Sequence, residues 1–208
     1  MSLEIVHYFA PMSGYAYLGA AALARMAERH GCVVRHAPVD IQAVFAASGV
    51  TPPAVQSAAK KAYRRADMRR WADLRGLPLR ETPKHWPAPG ALAARYILAA
   101  ERLAARGGEM SNAVLAACWA RDLDIADETV LSGLAREIGV DAQDIAARAH
   151  DDVTAQEAAG VTNDAIRLGL FGSPTYVLGE DIFFGQDRLD FLERELIRLK
   201  SGTEIARA

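Results

Sequence analysis

Two serines stand where a chain of this kind can do chemistry. Ser13 lies in Ala10-Pro11-Met12-Ser13-Gly14-Tyr15-Ala16, between a short apolar run (Glu4–Phe9) and an Ala-rich stretch with helical spacing. The first turn of a helix presents unpaired backbone N–H groups and the positive end of its dipole, which together favour an anion or a thiolate. A serine at that point suits two roles: it caps the helix, or its hydroxyl donates to such a group. Ser173 precedes Pro174 in Phe171-Gly172-Ser173-Pro174-Thr175, directly before another β-rich run. Cis X–Pro bonds are scarce, so the dipeptide taken alone reads as trans; a cis bond would open the Ser173 backbone to a ligand.

The elements that position these serines follow from local pattern. Glu4–Phe9 is apolar and β-rich and stops at Ala10-Pro11, so it reads as a buried strand. From Gly14 to His30 the apolar positions Tyr17, Leu18, Ala21, Ala24 and Met26 recur at helical spacing, and Gly31 ends the run. Val33–Val39 reads as a second strand, which makes a βαβ unit with a parallel pair. Residues 41–168 are helical pattern broken by prolines and glycines, with Asp127 and Asp141 placed as N-caps. Strand signal returns at Thr175–Leu178, turns at Gly179-Glu180-Asp181 and resumes at Ile182–Phe184, a hairpin. Asp187 is placed to cap a last helix with Leu189, Leu192, Leu196 and Leu199 on one side. The order β-α-β, helices, β-β-α is the plan of a thioredoxin-like α/β fold carrying a large inserted all-helical domain. Its expected division is 1–40 with 169–200, the insertion 41–168, and a tail at 201–208.

Composition narrows the function. The 208 residues are 51% hydrophobic and include 41 alanines, which favours helix and excludes disorder. With 24 Lys+Arg against 26 Asp+Glu there is no overall field to gather nucleic acid or an anionic membrane. No run is long and apolar enough for a membrane span, and MSLEIVHYF does not read as a secretory leader. Cys32 and Cys118 form no CxxC, so the expectation is a cytoplasmic protein with two free thiols. His7, His30, His36 and His150 fall at no metal-ligand spacing, and no metal is expected. Lys60, Lys61, Arg64, Arg65, Arg69 and Arg70 form a basic helix face, solvated for the most part, with one or two charges free to turn inwards to a carboxylate ligand. His85-Trp86, in a Pro-rich loop, is either a substrate wall or a loop staple.

In a thioredoxin fold the redox cysteines occupy the turn that here reads Ser13-Gly14-Tyr15-Ala16, so thiol–disulfide exchange by the chain itself is chemically excluded at that turn. Three segments carry a more specific resemblance: Ser13-Gly14-Tyr15-Ala16-Tyr17-Leu18, Gly169-Leu170-Phe171-Gly172-Ser173-Pro174-Thr175-Tyr176-Val177, and Phe184-Gly185-Gln186-Asp187-Arg188-Leu189. With their spacing, the chain resembles the 2-hydroxychromene-2-carboxylate isomerases and their relatives the kappa-class glutathione transferases, a DsbA-like thioredoxin-fold group, up to about Lys200.

The resemblance implies a glutathione site and a homodimer. Ser13 would be the catalytic residue, hydrogen-bonding the cysteinyl sulfur and favouring its thiolate. Ser173, before a cis Pro174, would pair by its backbone with the glutathione backbone. Gln186 and Asp187 would hold the γ-glutamyl end, and Lys60 would meet a ligand carboxylate. Tyr15, Thr51, His85 and Trp86 are the substrate-pocket candidates. Two positions depart from the family: Val50 stands where Asn is common, with Thr51 as the polar neighbour, and Gly14 replaces a proline, which implies a looser first helical turn. The implied reaction is a glutathione-dependent cis–trans isomerisation of an aromatic or conjugated carboxylate in aromatic-compound breakdown. The alternatives are a kappa-like glutathione transferase or peroxidase, and a glutathione-binding module without turnover.

Overall fold

A computed structural model describes residues 3–202. Its sheet has the order β2-β1-β3-β4, built from β1 (Glu4–Phe9), β2 (Val33–Pro38), β3 (Thr175–Leu178) and β4 (Asp181–Phe184). β1 runs parallel to β2, with Ile5 opposite Val34, and antiparallel to β3, with Tyr8 opposite Thr175. β3 and β4 form the expected hairpin around Gly179-Glu180. α1 (Gly14–His30) makes the crossover between β1 and β2, capped by Ser13 at its start and by left-handed Gly31 at its end. The thioredoxin-like plan is the one the pattern predicts.

Strand alternation decides what each face of the sheet covers. Ile5 of β1 and Tyr176 and Leu178 of β3 face Leu23 and Met26 of α1, together with Leu189, Leu192 and Leu196 of α9 (Leu189–Ser201). Tyr8, Ala10, Ala37 and Val177 face the other way, onto Ile41 and Val44 of α2 (Ile41–Ser48) and Ala165 of α8 (Asp152–Arg167). The remaining helices are α3 (Ala58–Arg75), α4 (Ala91–Ala104), α5 (Gly107–Trp119), α6 (Glu128–Glu137) and α7 (Ala142–His150). They share one core, in which Tyr96, Ile97, Met110, Leu115, Trp119 and Leu131 are wholly buried and into which Phe9 and Leu18 project. That contact joins the helical block to the start of α1, where Ser13 sits.

Three local expectations are revised. Asp187 does not cap α9, because residues Gln186–Arg188 form a 3-10 turn that Arg188 N–H closes on the Gly185 carbonyl at 3.1 Å. Leu199 is 39% exposed, since α9 extends past the sheet after Leu196. Of the expected tail, Ser201 ends α9 and Gly202 follows it, while 203–208 lie outside the described residues. Asp127 and Asp141 do cap α6 and α7.

Candidate functional site

Ser13 enters α1 with extended backbone (φ −79°, ψ 117°), the geometry of an N-cap. Its oxygen accepts from the Ala16 N–H at 3.2 Å, and its hydroxyl donates to the Ser173 carbonyl at 3.3 Å. The Ser173 hydroxyl oxygen accepts from the Ala10 N–H at 2.9 Å, and Ser13 N–H donates to the Ala10 carbonyl at 2.9 Å. The end of β1, the start of α1 and the loop before β3 are thereby tied into one knot. The two roles open to Ser13 are compatible, because the cap uses the oxygen and leaves the hydroxyl proton to be directed elsewhere. The Ser173–Pro174 peptide is cis, and so is Trp86–Pro87, which the sequence did not flag.

The residue before Ser13 is held as firmly. The Met12 carbonyl accepts two indole N–H groups, Trp86 Nε1 at 3.2 Å and Trp119 Nε1 at 3.1 Å, one for each lone pair. Trp119 also bears on Gly14. A Cβ at that position would fall 2.9 Å from the Trp119 ring, with the Met68 methyl closer still, and Gly14 is buried. The glycine is a packing requirement: two large side chains fill the space that a side chain at this position would take.

These groups border a cavity of about 690 Å³, within the size range of small-molecule sites. Of the residues singled out in the sequence, Ser13, Tyr15, Val50, Thr51, Lys60, Trp86 and Ser173 line it. Four further site candidates, Pro174, His85, Gln186 and Asp187, do not. Pro174 is buried and its carbonyl accepts from Gly185 N–H at 2.9 Å. His85 turns to Asp124, with Nδ1 3.5 Å from the carboxylate. Gln186 is 2% exposed and packs against Gly19, six residues into α1 and so about 9 Å along the helix from Ser13. Asp187 is half-exposed and pairs with Arg188 at 3.1 Å. The walls that sequence reasoning missed are Phe45, Phe171 and Phe184, the last two in edge contact at 4.8 Å between centroids, while Arg64 is a charge of the basic helix face that does turn inwards. Gly172 lets that pair close, since a Cβ there would lie 2.8 Å from the Phe184 ring tip. Nothing local pointed to Phe45.

Charge is arranged unevenly around the cavity. Tyr15 donates to Asp67 at 2.9 Å, and burial with that carboxylate raises its phenol well above the usual range, so it stays protonated. The Arg64 guanidinium sits 5.4, 5.0 and 5.7 Å from the ring centroids of Tyr15, Trp86 and Trp119. Burial lowers its pKa from the ordinary value, yet an arginine remains a cation. Lys60 is exposed at the margin. Neither cysteine borders the cavity, and burial pushes the Cys118 thiol up to about 12.

The DSBA-like thioredoxin domain, as a family model, matches residues 4–197. A 2-hydroxychromene-2-carboxylate isomerase of Sphingobium xenophagum is 32% identical over 202 residues, spanning 95% of this chain and 100% of that relative. The chain belongs to the 2-hydroxychromene-2-carboxylate isomerase family, within the DsbA-like thioredoxin proteins. A second member of that family, from Pseudomonas putida, is 28% identical over 193 residues, covering 92% of this chain and 93% of its own. A solved structure of a 2-hydroxychromene-2-carboxylate isomerase superposes with a TM-score of 0.82 at 25% identity, over 98% of this chain and 100% of that one. The cytosolic disulfide reductase DsbM of Pseudomonas aeruginosa shares the fold, with a TM-score of 0.68 at 23% identity over 95% of this chain and 100% of its own. Among the described residues of this family member no helix is long and apolar enough to cross a membrane.

Proposed function

We propose that the chain is a glutathione-dependent cis–trans isomerase acting on 2-hydroxychromene-2-carboxylate or a close analogue. The observation that carries this reading is Ser13, a hydroxyl on the first turn of α1 that lines an apolar cavity with its oxygen already committed to a backbone N–H. The residues fit glutathione: a helix N-terminus and a hydroxyl donor suit a thiolate, and Lys60 at the margin suits a carboxylate. When bound, glutathione would supply a nucleophilic sulfur able to add to a conjugated acid and leave again without net redox change.

The chain's own groups would act by positioning and by charge. Ser13 redirects its proton from the Ser173 carbonyl, 3.3 Å away, to the ligand sulfur, a rotation about one bond that leaves the cap intact. The α1 dipole stabilises negative charge at the same point. Ser173, released from that hydrogen bond, offers its carbonyl to a peptide-like ligand lying along the loop. Asp187, half-exposed three residues beyond Phe184, would take the ammonium end of the ligand in exchange for Arg188. Phe45, Phe171, Phe184 and Trp86 keep water from the reacting bond and suit a flat ring.

Titration calorimetry with reduced glutathione, beside absorbance assays on 2-hydroxychromene-2-carboxylate, tests the reading. Expected are glutathione binding and thiol-dependent conversion to the trans-benzylidenepyruvate. No binding at millimolar glutathione would sink it, and rapid conjugation of chlorodinitrobenzene without isomerisation would replace it with a transferase.

A further inference from the structure

Arg64 is a cation without a counterion inside the cavity. Three aromatic rings surround its guanidinium at 5.0 to 5.7 Å, and no protein carboxylate pairs with it among the described residues. The carboxylate one turn along the same helix, Asp67, is taken by the Tyr15 hydroxyl at 2.9 Å. A half-buried charge left in this state is costly unless a ligand completes it. Rings around a guanidinium also restrict its rotation, so its N–H edges remain available in a defined direction. The cavity that Arg64 lines is otherwise largely apolar, walled by Phe45, Phe171, Phe184 and Trp86.

We infer that Arg64 selects the electrophilic substrate, pairing through its N–H fork with the carboxylate of a planar conjugated acid whose ring lies against the aromatic walls. The identity of that acid rests on the isomerase reading above; the carboxylate contact can be read separately. Lys60, exposed and flexible at the margin, is left for the carboxylate of the thiol ligand. The two cations thus divide two anionic ends, the fixed one holding the rigid partner and the mobile one the flexible partner.

Calorimetry with chromone-2-carboxylate and its uncharged carboxamide, in the absence of thiol, gives the first test, because neither can then react. Wild type should bind the acid at least tenfold more tightly than the amide. Arg64→Met should lose about 10- to 100-fold in affinity for the acid, with the amide nearly unchanged, as expected for removal of a charge-assisted hydrogen bond. Arg64→Lys should retain part of the preference. Glutathione affinity within twofold of wild type, and an unchanged unfolding transition, would show that each variant is folded. In turnover of 2-hydroxychromene-2-carboxylate, Arg64→Met should raise KM more than it lowers kcat.

An acid-over-amide preference that persists in Arg64→Met, or is absent from wild type, overturns the assignment. Wild type that prefers the acid through Arg64 but converts no 2-hydroxychromene-2-carboxylate would instead overturn the isomerase reading and leave the carboxylate site standing.

Discussion

The two sides of α1 treat buried polar atoms in opposite ways. At its N-terminus, Ser13, Ser173, the Met12 carbonyl and the Tyr15–Asp67 pair are all joined by hydrogen bonds of 2.9 to 3.3 Å. Behind its middle, against the sheet, both ring nitrogens of His7, the Tyr176 hydroxyl and the Gln186 Oε1 are buried with no partner among the described residues. There His7 is used as a flat ring, stacked between Phe9 at 4.6 Å and Tyr176 at 5.1 Å. Polar groups near the cavity are aimed by their bonds, which suits groups that must meet a ligand in one geometry. Those behind the sheet serve by shape and are tolerated at a desolvation cost.

If the front side is the reactive one, Ser13→Ala should have the largest effect. Turnover should fall about 100-fold or more, as for loss of one preorganised donor to developing charge. Glutathione affinity should fall much less, and stability by about 1 kcal/mol for the lost cap. Equal losses in kcat and in glutathione binding would make Ser13 a cap and nothing more.

The back side should reveal itself through acid. Burial lowers the His36 pKa to about 4, with Glu109 opposing, and holds His7 well below its ordinary value, with His36 adding to the effect. In the unfolded chain both titrate near 6.5, so below that pH the unfolded state takes up protons that the folded state refuses. Stability should be flat in these groups above pH 6.5 and fall as pH drops towards 4. The loss from His36 alone is about 3 kcal/mol by that point. Denaturant titrations of His7→Phe and His36→Gln should show a shallower acid limb than wild type; an unchanged limb would remove the contrast between the two sides.

Gly14→Ala probes the boundary between them. The added methyl meets Trp119 and Met68 and should cost about 1–3 kcal/mol, with partial recovery in the Gly14→Ala, Met68→Ala double variant, read from urea midpoints. The smallest effect is expected for Trp86→Phe, which removes one of two donors to the Met12 carbonyl and should cost about 1 kcal/mol. Its consequence for turnover should exceed that cost, because the loop before Ser13 loses one of its two anchors.

What was legible in the sequence was local. β1, α1, β2 and the β3–β4 hairpin follow from short-range periodicity and from Gly31, Pro11 and Gly179, which act within a few residues of where they stand. Ser13 and Ser173 could be singled out because each marks the junction of two such elements, although their mutual hydrogen bond spans 160 positions. The cavity walls were less legible. Phe45, Arg64 and Phe184 come from separate elements, and which side chains turn inwards depends on packing that no single window contains. Asp187 was read as a cap because its type and position suit one, but the 3-10 turn ahead of α9 takes that place. The meaning of Gly14 lay in Met68 and Trp119, 54 and 105 residues away.

The double acceptor at Met12 also gives the molecule a signal. Two of its three tryptophans donate to one carbonyl, on the residue next to Ser13, and the third, Trp71, lies beneath Arg75 and does not line the cavity. Indole emission responds to hydrogen bonding and to nearby charge. A ligand arriving at Ser13 should therefore change the fluorescence of Trp86 and Trp119 together, without any attached dye, while Trp71 stays constant as an internal reference.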